Sequence, residues 1–141
     1  MWDYLFQLFL AGIVAIGFGQ LYRVPDRLKR WVAVPGALGW LVVLLVRLSK
    51  GNDLVAFFAA STAIGVSGEL MARRFRAPAS LFIIPGIFVL VPGANAYYAM
   101  LSFVQGNFEQ GIVETVITIL LATSIAIGLI VANSIVYFRR R

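Results

Sequence analysis

Few side chains in this sequence can do chemistry, and they stand out against an apolar background. Glu69 and Glu114 are carboxylates set inside apolar runs. A carboxylate inside a membrane is costly, and where one persists it often marks a proton relay or a substrate path. Histidine and cysteine are both absent. That removes the usual proton shuttle, thiolate chemistry, disulfides and the commonest metal ligands. Proton transfer therefore falls to Asp, Glu, Tyr or water, and Glu69 and Glu114 are the proton-coupling candidates. The plainer alternatives are that Glu69 pairs with Arg73, one helical turn on, at the membrane surface, and that Glu114 snorkels into the headgroups. Asp53 opens an apolar run and reads as a helix cap. There is no Gly-rich phosphate loop, no metal-ligand cluster and no Ser–His or Cys–His arrangement, so no enzyme, no cofactor and no metal is expected.

Backbone is the second possible source of chemistry. The run from Leu81 to Asn95 contains Pro85-Gly86 and Pro92-Gly93. A proline inside a helix removes one backbone hydrogen bond and clashes with the carbonyl four residues back. Two Pro-Gly pairs seven residues apart predict a helix that opens near mid-membrane. Freed amides and carbonyls cannot stay bare in lipid, and half-helix N-termini attract anionic groups. Pro85, Gly86, Pro92, Gly93 and Asn95 are accordingly the candidate substrate-binding positions, with Tyr98 able to close over them. The alternative is a packing kink satisfied by neighbouring helices. Ser61, Gly65 and Gly68 share a small-residue side with Glu69. Thr115, Thr118, Ala122, Ala126 and Asn133 form a polar stripe at helical spacing. Such faces are either packing seams or the wall of a pathway; on the second reading Ser61, Thr115 and Thr118 line it. Trp31, Tyr97, Tyr98 and Tyr137 lie near span ends, where aromatic belts are expected.

These residues must be positioned by membrane-spanning helices. Of the 141 residues, 61% are hydrophobic and only 13% are charged, against about 25% charged in globular chains. The mean hydropathy is +0.91. A soluble core of this length cannot hide so much apolar surface, so the solvent for most of the chain is lipid. A span needs about 20 mostly apolar residues, and five candidate stretches lie at roughly 4–21, 31–46, 54–72, 78–104 and 112–138, the second of them short. The second is interrupted by Pro35-Gly36, and the fourth is broken by its two Pro-Gly pairs. The start Met1-Trp2-Asp3 lacks the basic residues of a signal peptide, so the first stretch reads as a retained helix. The expectation is an all-α, polytopic bundle in a single transmembrane domain. Val34-Pro35-Gly36-Ala37 recurs as Val91-Pro92-Gly93-Ala94, an echo that is compatible with duplicated two-helix units and equally with chance.

Basic residues set the orientation. Arg23, Arg27, Lys29 and Arg30 follow the first span, Arg73, Arg74 and Arg76 follow the third, and Arg139–Arg141 follow the fifth. With the N-terminus outside and the C-terminus cytoplasmic, ten of the twelve Lys and Arg lie inside, as the positive-inside rule requires. A net charge of +6 then reflects loops facing anionic lipid. No nucleic-acid partner is expected.

Several of these residues also carry a resemblance. Arg76-Ala77-Pro78, Phe82, then Pro92-Gly93-Ala94-Asn95-Ala96-Tyr97 and Met100 resemble the threonine/serine exporter family, in particular its small half, which is a separate subunit in split bacterial systems. Val24-Pro25-Asp26-Arg27 before Arg30-Trp31 and the basic end after Phe138 are similar to the same family. The resemblance implies a bacterial inner-membrane secondary transporter that exports threonine and serine, or dicarboxylates such as succinate, coupled to the proton motive force. It also implies a larger homologous membrane subunit as partner. Two rival readings are a non-transporting assembly or scaffold subunit, and a homo-oligomeric channel.

Overall fold

Each helix of this chain ends where the sequence supplies a reason. In the computed structural model, which describes residues 2–138, α1 (Trp2–Leu21) stops ahead of Arg23. Arg23 has a φ of 53°, and the Val24 amide then donates back to the Gly19 carbonyl at 2.9 Å. In the turn that follows, Asp26 pairs with Lys29. The Lys29 hydrogen bond, reinforced by its charge, holds the Asp26 carboxyl below its usual range. The second helix, α2, covers Lys29–Leu48 with Pro35 inside it, slightly longer than the expected 31–46. The third, α3, covers Asp53–Phe75 and closes on Arg76 in the left-handed region, φ 51°. Its cap corrects the sequence expectation. Asn52, not Asp53, accepts the Leu54 amide at 3.0 Å, which leaves Asp53 to pair with Arg47 at 2.9 Å.

The stretch expected at 78–104 is two helices, α4 (Ser80–Phe88) and α5 (Gly93–Val104). They meet at an angle of 44° across the turn between them. Pro85 lies inside α4, and the helix runs through it. Pro92 lies in the turn, immediately before α5, where its missing N–H costs least. Last comes α6, Phe108–Phe138, at 31 residues the longest helix. Four helices, α1, α2, α3 and α6, are each long and apolar enough to span a bilayer, and the number is five if the bent pair α4–α5 counts as one span. Among the described residues there is no strand.

The bundle closes around two apolar clusters. Val24 and Leu28 of the first turn pack with Val32, Ala72 and Phe82. That brings the α1–α2 and α3–α4 connections, and with them seven of the nine described Lys and Arg, to one end, here called the basic end. Nearer the far end Val43, Phe57, Ile64, Leu90, Leu121 and Ile125 form the larger cluster. Between the two, α2 and α4 cross backbone to backbone. A methyl group at Gly86 would stand 3.0 Å from Ile64 Cγ2 and 3.4 Å from both the Gly36 nitrogen and Pro35 Cβ. Pro35-Gly36 therefore meets Pro85-Gly86, and its sequence echo at Pro92-Gly93 sits elsewhere, in the turn before α5.

The longest helix serves two neighbours. The basic-end half of α6 packs on α3 and its other half on α5; among the helices, α5 packs on α6 alone. The Ser124 hydroxyl donates to the Leu54 carbonyl at 2.6 Å, at the very start of α3. Ahead of Ser124, Leu121 still packs with Val43 and Phe57, and Ile117 and Leu120 face Asn52, Asp53 and Leu54. Only the first turns of α6, with α5 beside them as a hairpin, lie past the start of α3.

Candidate functional site

The seam between α3 and α6 is built from small residues and is tightly closed. A Cβ at Gly128 would overlap Ser61 Oγ and stand 2.5 Å from the Phe58 carbonyl oxygen, and one at Gly65 would stand 2.5 Å from Ala132 Cβ. Ser61 is fully buried, and its hydroxyl donates to the Phe58 carbonyl at 3.0 Å. Thr62 donates across the seam to the Gly128 carbonyl at 3.1 Å. This part of the small-residue face is packing, so Ser61 sits in a sealed contact between helices.

Polar clefts open at the two ends of this seam. At the basic end, Glu69, Ser80, Asn133, Gly65 and Ile83 line a cleft of about 350 Å³. The α3 helix supplies Glu69, the start of α4 supplies Ser80, and α6 supplies Asn133. Arg73, one turn beyond Glu69, holds its Nε 3.6 Å from the Glu69 carboxylate and reaches the Val136 carbonyl through Nη2 at 3.5 Å. The Glu69 side chain is only 19% exposed. Glu69, Ser80 and Asn133 set a carboxylate, a hydroxyl and an amide in one apolar-walled cleft, and Arg73, outside that lining, flanks the carboxylate; such a set can hold a small molecule that carries both charges.

At the far end, Arg47, Asn52, Asp53, Asn95 and Leu121 line a second cleft, of about 300 Å³. The turn before α5 aims Asn95 into it. Asn95 Nδ2 donates to Glu114 at 3.3 Å, and Gln110 Nε2 donates to the other Glu114 oxygen at 3.0 Å. Two amides thus hold one carboxylate, and one of them, Asn95, lines the cleft with the Arg47–Asp53 pair. Asp53 and Glu69 are sixteen residues apart on α3, about 24 Å along the helix.

The structure sorts the residues singled out from sequence. It brings Asn95 and Glu114 together, and it sets Glu69 beside Asn133. Pro92 and Gly93 form the turn that delivers Asn95. Pro85 and Gly86 are buried in the α2–α4 crossing, where their backbone faces Pro35-Gly36 rather than a cleft. Tyr98 is exposed and packs edge-on against Tyr97, 5.6 Å between ring centres. Thr115 and Thr118 line a shallow, mostly apolar cleft of about 230 Å³ between α5 and α6. Their hydroxyls donate back along their own helix, to the Gly111 and Glu114 carbonyls, both at 2.7 Å. Sequence reasoning missed Arg47, Asp53 and Ser80 as cleft residues. Their one available signal is position, since each lies at or near the end of a span.

The comparisons with known proteins complete the picture. The family described as Threonine/Serine exporter, ThrE, matches residues 7–135. The chain belongs to the threonine/serine exporter family. An uncharacterized protein of Haemophilus influenzae is 31% identical over 131 residues, which are 90% of this chain and 44% of that protein. The chain therefore spans less than half the length of that relative. No solved structure matches. Membership in an exporter family agrees with the apolar helices, which suit a multi-pass membrane protein.

Proposed function

We propose that this chain is one membrane unit of a proton-coupled exporter of small amino acids, threonine and serine first, acting in a bacterial inner membrane with a larger membrane unit. The basic end faces the cytoplasm, the N-terminus lies outside and the C-terminus inside, in keeping with the positive-inside rule. The cleft at the basic end is then the cytoplasmic entry. The observation that carries this reading is Glu69 in one cleft with Asn133 and Ser80, with Arg73 flanking its carboxylate at 3.6 Å. An amino-acid zwitterion presents its ammonium to Glu69 and its carboxylate to Arg73, and a side-chain hydroxyl meets Asn133 or Ser80. A dicarboxylate such as succinate would set a second negative charge against Glu69, so that alternative needs a protonated Glu69.

The far-end cleft is the exit. Its Glu114, held by two neutral amides, is the second proton-exchange candidate, and Asn95 reports on it directly. The turn at Pro92-Gly93 belongs to the site because it sets the position of Asn95. The closed α3–α6 seam lies between entry and exit, so the path needs surfaces beyond that seam, which supports a partner unit.

The test is counterflow of labelled serine and threonine in vesicles holding the native complex. Glu69→Gln should lower counterflow at least tenfold with the complex still assembled, and Arg73→Gln should do the same. Wild-type flux from both variants would refute the assignment. An assembled complex that moves neither amino acid nor succinate would favour the scaffold reading, and saturable flux from this chain alone would favour the homo-oligomeric channel.

A further inference from the structure

The turns after α1, α2, α3 and α5 close with the same pair of backbone hydrogen bonds. After α1 the Arg23 amide donates to the Gln20 carbonyl at 3.0 Å and the Val24 amide to the Gly19 carbonyl at 2.9 Å. After α3 the Arg76 and Ala77 amides donate to the Arg73 and Ala72 carbonyls, at 3.4 and 3.0 Å. This pair of bonds sets the first donor in the left-handed region, where glycine is the usual residue because it carries no Cβ. The turn after α5 follows that preference with Gly106, φ 79°. The turns after α1, α2 and α3 instead place Arg23, Lys50 and Arg76 there, with φ of 53°, 57° and 51°. The helix dipole does not explain them. A cation in the last turn satisfies it without backbone strain, and Arg47 on α2 and Arg74 on α3 already stand there.

Arg23 and Arg76 adjoin each other at the basic end. Val24 is buried in the cluster around Phe82, and Ala77 packs against it, so the two turns share one apolar footing. The acids at this end are taken, Asp26 by Lys29 and Glu69 by Arg73. Arg23, Arg27, Arg30, Arg74 and Arg76 are exposed and have no carboxylate partner among the described residues. At their level Trp31, 41% exposed, meets Phe75 with 5.1 Å between ring centres. Nearer the middle of the helices Leu21 and Leu70 are bare. Guanidinium, then indole, then leucine is the layering that a phospholipid presents as phosphate, interface and acyl chain.

We infer that the basic end carries a binding site for the headgroup of an anionic phospholipid, with Arg23 and Arg76 as its fixed contacts and Arg27, Arg30 and Arg74 around them. General attraction between basic loops and anionic lipid needs only charge. A left-handed arginine on each of two adjoining turns is more than attraction needs, and backbone strain of that kind persists where the side chain is used. Guanidinium holds a phosphate through two parallel hydrogen bonds. A zwitterionic headgroup would bring its own cation against five unpaired ones, and a soluble anion would leave Leu21 and Leu70 uncovered. The site uses none of the residues assigned to the transported solute, and it stands whether or not the chain exports amino acids.

Thermal unfolding of the full chain in a neutral detergent tests this, with phosphatidylglycerol or phosphatidylcholine of the same acyl chains added. Phosphatidylglycerol should raise the Tm by about 5 °C or more beyond phosphatidylcholine. Arg23→Gly and Arg76→Gly each relieve a left-handed residue, so each should keep at least the wild-type Tm in phosphatidylcholine. Each should nevertheless lose about half or more of the phosphatidylglycerol increment. Lys50→Gly, the same change in the same motif at the far end, should keep the increment whole. Equal shifts from the two lipids, an undiminished increment in either arginine variant, an equal loss in Lys50→Gly, or a full increment from glycerol phosphate alone would overturn the inference. Native mass spectrometry of the wild type in an equal mixture of the two lipids gives a check that needs no variant. Retained adducts should carry phosphatidylglycerol about five times more often than phosphatidylcholine, and equal retention would also overturn the site.

Discussion

Gly128 and Gly93 are both glycines in apolar helices, and their surroundings differ completely. Gly128 lies against Ser61 and the Phe58 carbonyl, where a side chain has no room, while Gly93 opens onto empty space. Overpacking a closed contact costs about 1–3 kcal/mol or more. Gly128→Leu should therefore lower the Tm of the detergent-solubilised protein by about 10 °C, and Gly93→Leu should leave it within about 2 °C. Equal shifts would mean that the α3–α6 seam is not the tight contact described here. At this scale the sequence was legible where a polar group interrupts an apolar run. Glu69, Asn95 and Glu114 all fall in or beside polar clefts for that reason. Arg47 and Asp53 were not legible, because each sits at a span end where charge is ordinary. Their pairing depends on the turn through Asn52, whose side chain takes the cap and frees Asp53. Ser61 misled for the converse reason: a small hydroxyl suits a pathway and a seam equally, and only the partner helix decides between them.

At the scale of elements, hydrophobic length alone predicts α1, α2 and α3 to within a few residues. The stretch at 78–104 was harder, because its two Pro-Gly pairs look alike in sequence and behave differently in the fold. Pro85 can stay in a helix because α2 brings its own Pro35-Gly36 against it, so the irregular backbone is shielded by protein. Pro92 falls where the chain must bend by 44° to leave the bundle and meet α6. That difference comes from which helix lies opposite, a fact no local pattern contains. The elements should also differ in dynamics. Helix α3 packs against α2, α4 and α6, whereas α5 packs against α6 alone. Local opening is easiest where contacts are fewest. In hydrogen exchange on the isolated chain, amides 97–104 of α5 should exchange at least tenfold faster than amides 60–67 of α3, on the order expected from a local-stability difference of about 1.4 kcal/mol or more. Equal protection would show that the hairpin is as firmly held as the bundle.

For the whole molecule the sequence carried most of the architecture, because a bilayer allows so few solutions. The proposed orientation rests on charge, and it can be checked without removing anything, since the chain has no cysteine. A cysteine at Asn107, in the α5–α6 turn, should react with an impermeant thiol reagent added outside intact cells, and one at Ala77, at the basic end, should react only after the membrane is opened. The reverse pattern would overturn the topology. The placement of the α5–α6 hairpin was not legible. Its residues are as apolar as a lipid-facing span, and only the registers of Ser124 against Leu54 and of Leu121 against Phe57 show that the first turns of α6 lie past the start of α3.

The crossing of Pro35-Gly36 with Pro85-Gly86 has the properties of a fulcrum. Neither proline can donate to the carbonyl four residues back, so α2 lacks a bond to Trp31 and α4 lacks one to Leu81 at the level where they touch. The two backbones meet at Gly36 and Gly86, with Ala15, Ile64 and Val89 packed close around them, so the crossing is a fixed point about which the helix ends can move. Arg47 stands eleven residues from Gly36 along α2, a lever arm of about 16 Å. A turn of about 10° at the crossing sweeps the far tip of α2 through about 3 Å. That is as far as Arg47 now stands from Asp53, 2.9 Å, so a slight rotation deep in the bundle is enough to unlatch the ion pair beside Asn95.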